Sequence, residues 1–150
     1  IRASDPPEQG RIHVDSLGTG NFFPRWVGIC YLASPENCEG GTSFWKHNKT
    51  GMKWFPVTPR EYTEASRIAK VPNTPKGIGI YFYREGFHRS RWTEYKKIPM
   101  VFNRLILFRT YLFHSPTSTF GTTRENGRLV QLFYFDEVDD YIQTVMAFNQ

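Results

Sequence analysis

The sequence predicts an all-β domain with a minor helical part, of the sandwich or jelly-roll type. Aromatic residues make up 17% of the chain, and Phe, Tyr and Trp favour strands over helices. Ten prolines and twelve glycines are spread along the chain, which indicates many turns and short elements. Short apolar segments separated by turn-rich loops complete the pattern. Because 150 residues suffice for one hydrophobic core, we expect a single domain over residues 1–150.

Seven segments have the composition of strands. The clearest is 26–33, which is apolar and bounded by Pro24 and Pro35. The longest is 127–136, which is apolar almost throughout. The others are residues 11–15, 42–47, 77–83, 98–102 and 103–110, with 111–114 continuing the last of these in extended form.

Two helices are expected. The first covers residues 59–70, since Thr58 can serve as the N-cap, Pro59 occupies the first helical position and Glu61 completes a capping box. A short closing helix is expected over residues 139–148.

The composition argues against several classes of protein. The two cysteines, Cys30 and Cys38, are too few for a disulfide framework or a zinc ribbon. No membrane span or signal peptide is visible, so a soluble, cytoplasmic protein without a membrane partner is the default expectation. A net charge of +5 allows an anionic partner. The basic residues form no run of five or more, however, and ordinary solubility charge is the favoured interpretation.

One constellation of residues carries a chemical hypothesis. His13 and Asp15 are two residues apart on a short predicted strand, so their side chains share a face. His114 follows an apolar segment near the other end of the chain, where an imidazole needs a polar partner or a metal. Two imidazoles and one carboxylate are the ligands of the facial-triad Fe(II) site. We therefore predict that His13, Asp15 and His114 bind a metal.

A basic residue downstream fits the same hypothesis. Arg128 begins the last predicted strand, and its guanidinium could form a forked pair with the far carboxylate of a 2-oxoacid. Without the upstream motif, Arg128 would be interpreted as a surface residue at a strand start.

Five segments, in order, resemble the 2-oxoglutarate/Fe(II)-dependent oxygenase superfamily. They lie between about residues 10 and 136, and the local sequence is similar to prolyl-hydroxylase-like enzymes. It is closer still to an uncharacterised branch with an Arg-Leu-Ile/Val-Leu-Phe/Tyr segment before Leu-x-His-Ser. The segments are His-Val-Asp at 13–15, Cys-Tyr-Leu at 30–32, Gly-Gly-Thr at 40–42, Asn-Arg-Leu-Ile-Leu-Phe at 103–108 leading into Leu-Phe-His-Ser at 112–115, and Gly-Arg-Leu at 127–129.

The resemblance implies a double-stranded β-helix, a cupin-like jelly-roll barrel with one or two short helices. It implies that His13, Asp15 and His114 hold Fe(II) at the open end of this barrel. The implied reaction consumes 2-oxoglutarate and O2, hydroxylates a substrate and releases succinate and CO2. No catalytic residue beyond the metal ligands is implied.

The resemblance also implies the residues that bind the co-substrate. Arg128 would bind the C5 carboxylate of 2-oxoglutarate, and Tyr31 would hydrogen-bond the same molecule. Thr42 would face the site more weakly. For Tyr31, a core aromatic on a strand is an equally good interpretation.

Three features depart from the family pattern. Residue 33 is Ala where many members have Asn, and Val130 stands where a Ser or Thr often follows the Arg. The chain also begins at Ile1 without a Met, and the helices and first strand that usually support this fold are missing. We therefore expect a fragment of a longer protein that lacks N-terminal support elements.

The substrate follows only by analogy, which favours a small molecule or peptide with an amino-acid side chain. Residues 83–97 interleave basic and aromatic side chains, as nucleic-acid-binding segments do, although this pattern more often marks a solvated edge. A nucleic-acid-directed oxygenase therefore stays an alternative. So do a cupin-type metal enzyme that needs no 2-oxoglutarate and a degenerate jelly roll that binds carbohydrate or protein. The sequence predicts no oligomeric state.

Overall fold

A computed structural model describes residues 10–15, 25–123 and 125–136 of the chain. This part is mostly β with a minor helical portion, as the sequence predicts, and its strands form two antiparallel sheets that do not close into a barrel. The elements are β1 (Trp26–Tyr31), β2 (Gly41–His47), α1 (Pro59–Ala69), α2 (Pro75–Glu85), β3 (Trp92–Pro99), β4 (Leu105–Arg109), β5 (His114–Pro116) and β6 (Val130–Phe135). Two short 3-10 helices, Pro35–Asn37 and Arg89–Arg91, lie in the connections.

The first sheet has the order β4-β1-β6, with β1 in the centre. Val27, Ile29 and Tyr31 alternate along β1 and are buried, so one face of this sheet belongs to the core. These three strands confirm the predictions for 26–33, 103–110 and 127–136, with ends shorter by a few residues.

The second sheet has the order β3-β2-β5. The prediction for 42–47 is confirmed by β2, but the one for 98–102 is wrong because β3 runs over Trp92–Pro99. Most residues of β3 are exposed, as befits an edge strand with two lysines. The bounds of β3 follow from its pairing with β2, which runs from Gly41 opposite Pro99 to His47 opposite Trp92. The apolar pattern of β3 itself is too weak to indicate them.

The prediction for α1 is confirmed in detail. The Thr58 side chain accepts a hydrogen bond from the backbone N–H of Glu61, and the Glu61 carboxylate accepts one from the backbone N–H of Thr58. The predicted closing helix over 139–148 lies outside the described residues. Neither helix in the described part has the length and apolar character that crossing a membrane requires.

The predicted strand over 77–83 is wrong, because these residues form α2. Thr74 caps this helix by accepting a hydrogen bond from the backbone N–H of Gly77, and Pro75 follows as its first residue. Ile78 and Phe82, four residues apart, face the core. A short apolar run rich in aromatic residues fits a strand and a buried helix equally well, which explains the error.

Two hydrophobic clusters form the core. One lies between the helices and the second sheet and includes Trp45, Phe55 and Phe82. The other lies between the two sheets, where the rings of Phe44 on β2 and Phe108 on β4 form a T-shaped pair with 5.0 Å between centroids. The two sheets thus pack face to face, with the helices outside the second one.

A buried polar network ties β2 to α2. His47 is fully buried, and its Nε2 lies 3.1 Å from Glu85 Oε2. The other oxygen of Glu85 accepts a hydrogen bond from Arg91 Nη1, and its backbone carbonyl accepts one from Trp92 Nε1. Burial lowers the pKa of His47 below its usual value, although hydrogen bonding to Glu85 opposes this shift.

Substitution of two isoleucines of α2 tests its helical structure. Ile78 is 0% exposed and Ile80 is 44% exposed, whereas a strand would place both on one face. We expect Ile78→Ala to lower the free energy of unfolding by about 2–5 kcal/mol. Ile80→Ala should change it by less than about 0.5 kcal/mol. Urea unfolding measures both, and equal losses would contradict the helix.

The His47 network predicts a pH-dependent stability. Because folding lowers the pKa of His47, the unfolded chain binds a proton more readily as pH falls below about 6.5. The contribution of His47 is therefore complete above that pH and declines below it. Urea unfolding of metal-free protein between pH 8 and 5.5 should show a steeper loss for the wild type than for His47→Gln. The difference in slope can reach about 1.4 kcal/mol per pH unit, and parallel slopes would contradict the assignment.

Candidate metal centre

The segment that carries His13 lies beside β5, which begins at His114. The backbone N–H of His13 donates to the carbonyl of His114 at 2.9 Å, and the N–H of His114 donates to the carbonyl of His13 at 2.9 Å. The backbone N–H of Asp15 donates to the carbonyl of Thr110 at 2.8 Å. This pairing sets the two imidazole rings side by side, with 4.5 Å between their centroids.

The three predicted ligands converge on one point. One ligand atom from each of His13, Asp15 and His114 lies within 4.8 Å of the other two. His13 Nε2 is 3.8 Å from Asp15 Oδ1, and His114 Nε2 is 3.4 Å from Asp15 Oδ2. Atoms bound to one ion at about 2.1 Å lie roughly 3–3.5 Å apart, so the three groups could bind a metal after moving closer together.

Both imidazoles have their Nδ1 atoms held by the backbone. His13 Nδ1 lies 2.9 Å from the carbonyl of Arg11, and His114 Nδ1 lies 2.9 Å from the carbonyl of Leu112. Because a carbonyl can only accept, each Nδ1 carries the hydrogen. In the neutral ring, each Nε2 therefore presents a lone pair toward Asp15, which is the arrangement that metal-binding histidines use.

Burial keeps these rings neutral at pH 7. It lowers the pKa of His114 to about 4. It also lowers the pKa of His13 to about 4, with a further lowering from His114. Burial raises the pKa of Asp15, against the effects of His13 and of a hydrogen bond from Tyr134. Two lone pairs and a carboxylate that face one another in a partly buried place fit a divalent cation.

A cavity of about 400 Å³ extends from the three side chains. Both polar and apolar residues line it. The polar residues besides the three candidate ligands are Arg11, Thr42, Ser115 and Arg128, and the apolar ones are Ile29, Pro116, Leu129, Val130 and Leu132.

The three predicted co-substrate residues form a connected group. Arg128 is 8% exposed and lines the cavity, as does Thr42. Tyr31 is fully buried, and its hydroxyl donates to Thr42 Oγ1 at 2.7 Å. The guanidinium carbon of Arg128 lies 5.7 Å from the centre of the Tyr31 ring. Tyr31 does not line the cavity itself and contacts it through Thr42 and Arg128.

Sequence reasoning missed several residues of this site, among them Tyr134, Leu132 and Arg11. Tyr134 hydrogen-bonds Asp15, and Leu132 lines the cavity. Arg128, Val130, Leu132 and Tyr134 are each two residues apart, so their side chains lie on the same face of the last strand. This spacing could have predicted Leu132 and Tyr134 once Arg128 was assigned to the site. For Arg11, the available signal is its position two residues before His13, which places the two side chains on the same face of an extended segment.

The basic and aromatic stretch over 83–97 is divided among α2, a 3-10 helix and β3. Arg89 Nη2 donates to Ser115 Oγ at 3.2 Å and to the carbonyl of Pro116 at 3.0 Å. Arg91 pairs with Glu85. Two of its basic side chains thus have intramolecular partners, which weakens the case for a nucleic-acid surface.

A protein-family model matches most of the chain. A model described as a family of unknown function, DUF6445, matches residues 5–134, and the chain belongs to that family. Neither a curated protein nor a solved structure matches the chain.

Removal of either imidazole should abolish tight metal binding. We expect His13→Ala and His114→Ala each to weaken Mn(II) binding at pH 7.5 by more than about 100-fold. Loss of a residue that merely orients a ligand already costs about 10–100-fold. His88→Ala, at an exposed histidine, should bind Mn(II) like the wild type. Electron paramagnetic resonance of free Mn(II) gives the affinities. Equal affinities for His13→Ala, His114→Ala and His88→Ala would exclude this centre.

Proposed function

We propose that this protein is an Fe(II)- and 2-oxoglutarate-dependent oxygenase that acts on an amino-acid or peptide substrate. One observation carries the proposal: two neutral imidazoles and a carboxylate face a cavity that Arg128 also lines. A facial triad of this composition leaves coordination positions open for a co-substrate and O2. A 2-oxoacid bound there also needs a cation for its far carboxylate, and Arg128 is suited to that role.

The bound Fe(II) and 2-oxoglutarate would supply the oxidising power for inserting one oxygen atom of O2 into a C–H bond. The residues of the protein would position the metal and the co-substrate. His13, Asp15 and His114 hold the metal, and the Nδ1 hydrogen bonds to backbone carbonyls fix the orientation of both rings. No further acid or base is required of the chain.

The co-substrate would lie between the metal and Arg128. The Arg128 guanidinium pairs with its C5 carboxylate, and the buried position of this residue strengthens that pair by excluding water. The Tyr31 hydroxyl donates to Thr42 and thereby orients the Thr42 side chain on the cavity wall. The apolar side chains of Ile29, Val130 and Leu132 limit the access of water to the reacting atoms.

The proposal extends to the fold. Two antiparallel sheets that pack face to face around a shared apolar cluster are compatible with a double-stranded β-helix. In that architecture, β4-β1-β6 and β3-β2-β5 would be the two walls, and His13, Asp15 and His114 would hold the metal between them. The position of His114 at the start of β5 and of Arg128 just before β6 supports this assignment.

Anaerobic titration with Fe(II) and 2-oxoglutarate tests the proposal. A weak visible charge-transfer band of the chelate should appear with the wild type and be absent with His114→Ala. Arg128→Gln should bind Fe(II) normally but require at least about 30-fold more 2-oxoglutarate, because a buried charge pair is lost. Arg60→Gln, at an exposed arginine of α1, is the matched control and should behave like the wild type.

Two negative results would have different meanings. Tight Fe(II) binding without a band would contradict the co-substrate assignment and favour a cupin-type metal enzyme. If well-folded protein binds neither Fe(II) nor 2-oxoglutarate, the degenerate binding module replaces the enzyme. Circular dichroism of each variant separates loss of binding from loss of folding, and Arg128→Lys provides a second substitution that retains the charge.

A further inference from the structure

The side chain of Arg11 lies at the candidate site, and the proposed function assigns it no role in holding the metal or the co-substrate. Its backbone carbonyl accepts the hydrogen bond from His13 Nδ1, so its main chain is fixed relative to the metal ligands. Its side chain is partly buried and lines the same cavity as His13, Asp15 and Arg128. The cavity therefore has a second guanidinium besides that of Arg128.

Within the described ranges, no carboxylate pairs with the Arg11 guanidinium. In this part of the chain the guanidinium lies over the ring of Tyr83, whose centre is 4.8 Å from Arg11 Cζ. Tyr83 is 49% exposed, so this contact lies at the protein surface and is a weak one. The five N–H donors of Arg11 are suited to an anion that enters from solvent.

The net charge of the site also favours an anionic ligand. Arg11 is the positive charge that remains when Asp15 and the two carboxylates of 2-oxoglutarate are balanced against a divalent ion and Arg128. An unbalanced cation in a partly apolar cavity favours a ligand that carries a negative charge. The apolar residues Leu129 and Leu132 lie in the same lining and suit a hydrocarbon portion next to that charge.

We propose that Arg11 binds an anionic group of the substrate, a carboxylate or a phosphate, and that the substrate carries an apolar portion beside it. This inference rests on the proposed function, since it assigns the substrate of the same site. It narrows the amino-acid or peptide class to compounds with a free acid group near the carbon that is oxidised. Arg11 is thus a specificity-determining residue, whereas Arg128 serves the co-substrate.

Binding of three small probes tests the inference without turnover. Protein loaded with Mn(II) and 2-oxoglutarate is titrated with hexanoate, hexyl phosphate or hexanamide. Paramagnetic relaxation of the probe protons by Mn(II) reports binding near the metal. We expect at least one of the two anions to bind about tenfold or more tightly than hexanamide. The tighter of the two identifies the acid group.

Variants of Arg11 assign the preference to its side chain. Arg11→Gln should weaken binding of the preferred anion by about 10–100-fold and leave hexanamide unchanged, because a charge-assisted hydrogen bond is lost. Arg11→Lys should recover part of the affinity. Arg84→Gln, at an exposed arginine of α2, is the matched control and should bind all three probes like the wild type.

Failure of this inference differs from failure of the proposed function. Mn(II) and 2-oxoglutarate binding are measured first in each sample, and their absence would overturn the proposed function. If both bind, equal affinity for hexanamide and the anions would overturn the role of Arg11 alone. The same holds if Arg11→Gln and Arg84→Gln bind the preferred anion equally well.

Discussion

The reciprocal backbone hydrogen bonds between His13 and His114 are the interaction on which the site depends. They join a segment near the start of the described chain to β5, far along the sequence. This pairing sets the positions of both imidazole rings, because opposed residues of an antiparallel pair place their side chains close together. Asp15 then lies on the same side as His13, and its own backbone bond to Thr110 keeps it there.

The packing around the site makes the polar groups costly unless they have partners. The ring of His114 contacts the aromatic rings of Phe44 and Phe108, with centroids 6.5 and 4.8 Å away. An imidazole in such surroundings loses its charged form, and both of its nitrogens need a partner. The backbone accepts from Nδ1, which leaves the Nε2 lone pair facing the carboxylate of Asp15, and a cation between them would satisfy both. The same apolar contacts that stabilise the fold thus prepare neutral ligands.

In the proposed function, three tasks are divided among the residues that line the cavity. The candidate metal ligands, the buried Arg128 and the partly exposed Arg11 all line it. A buried guanidinium suits a co-substrate that is the same in every reaction cycle. A partly exposed one suits a group that must enter and leave. This difference in burial is the physical basis for assigning the two arginines to different molecules.

The sequence alone determined the mostly β class, helix α1 with its capping box, the strands β1, β2, β4 and β6, and the grouping of His13, Asp15, His114 and Arg128 as one hypothesis. These follow from local signals, because caps and strand alternation act between near neighbours. Only the tertiary structure decided that residues 77–83 are helical, where β3 begins, and that Arg11 and Tyr134 join the site. These depend on which distant segments pack together, and an apolar run has no local feature that selects its partner.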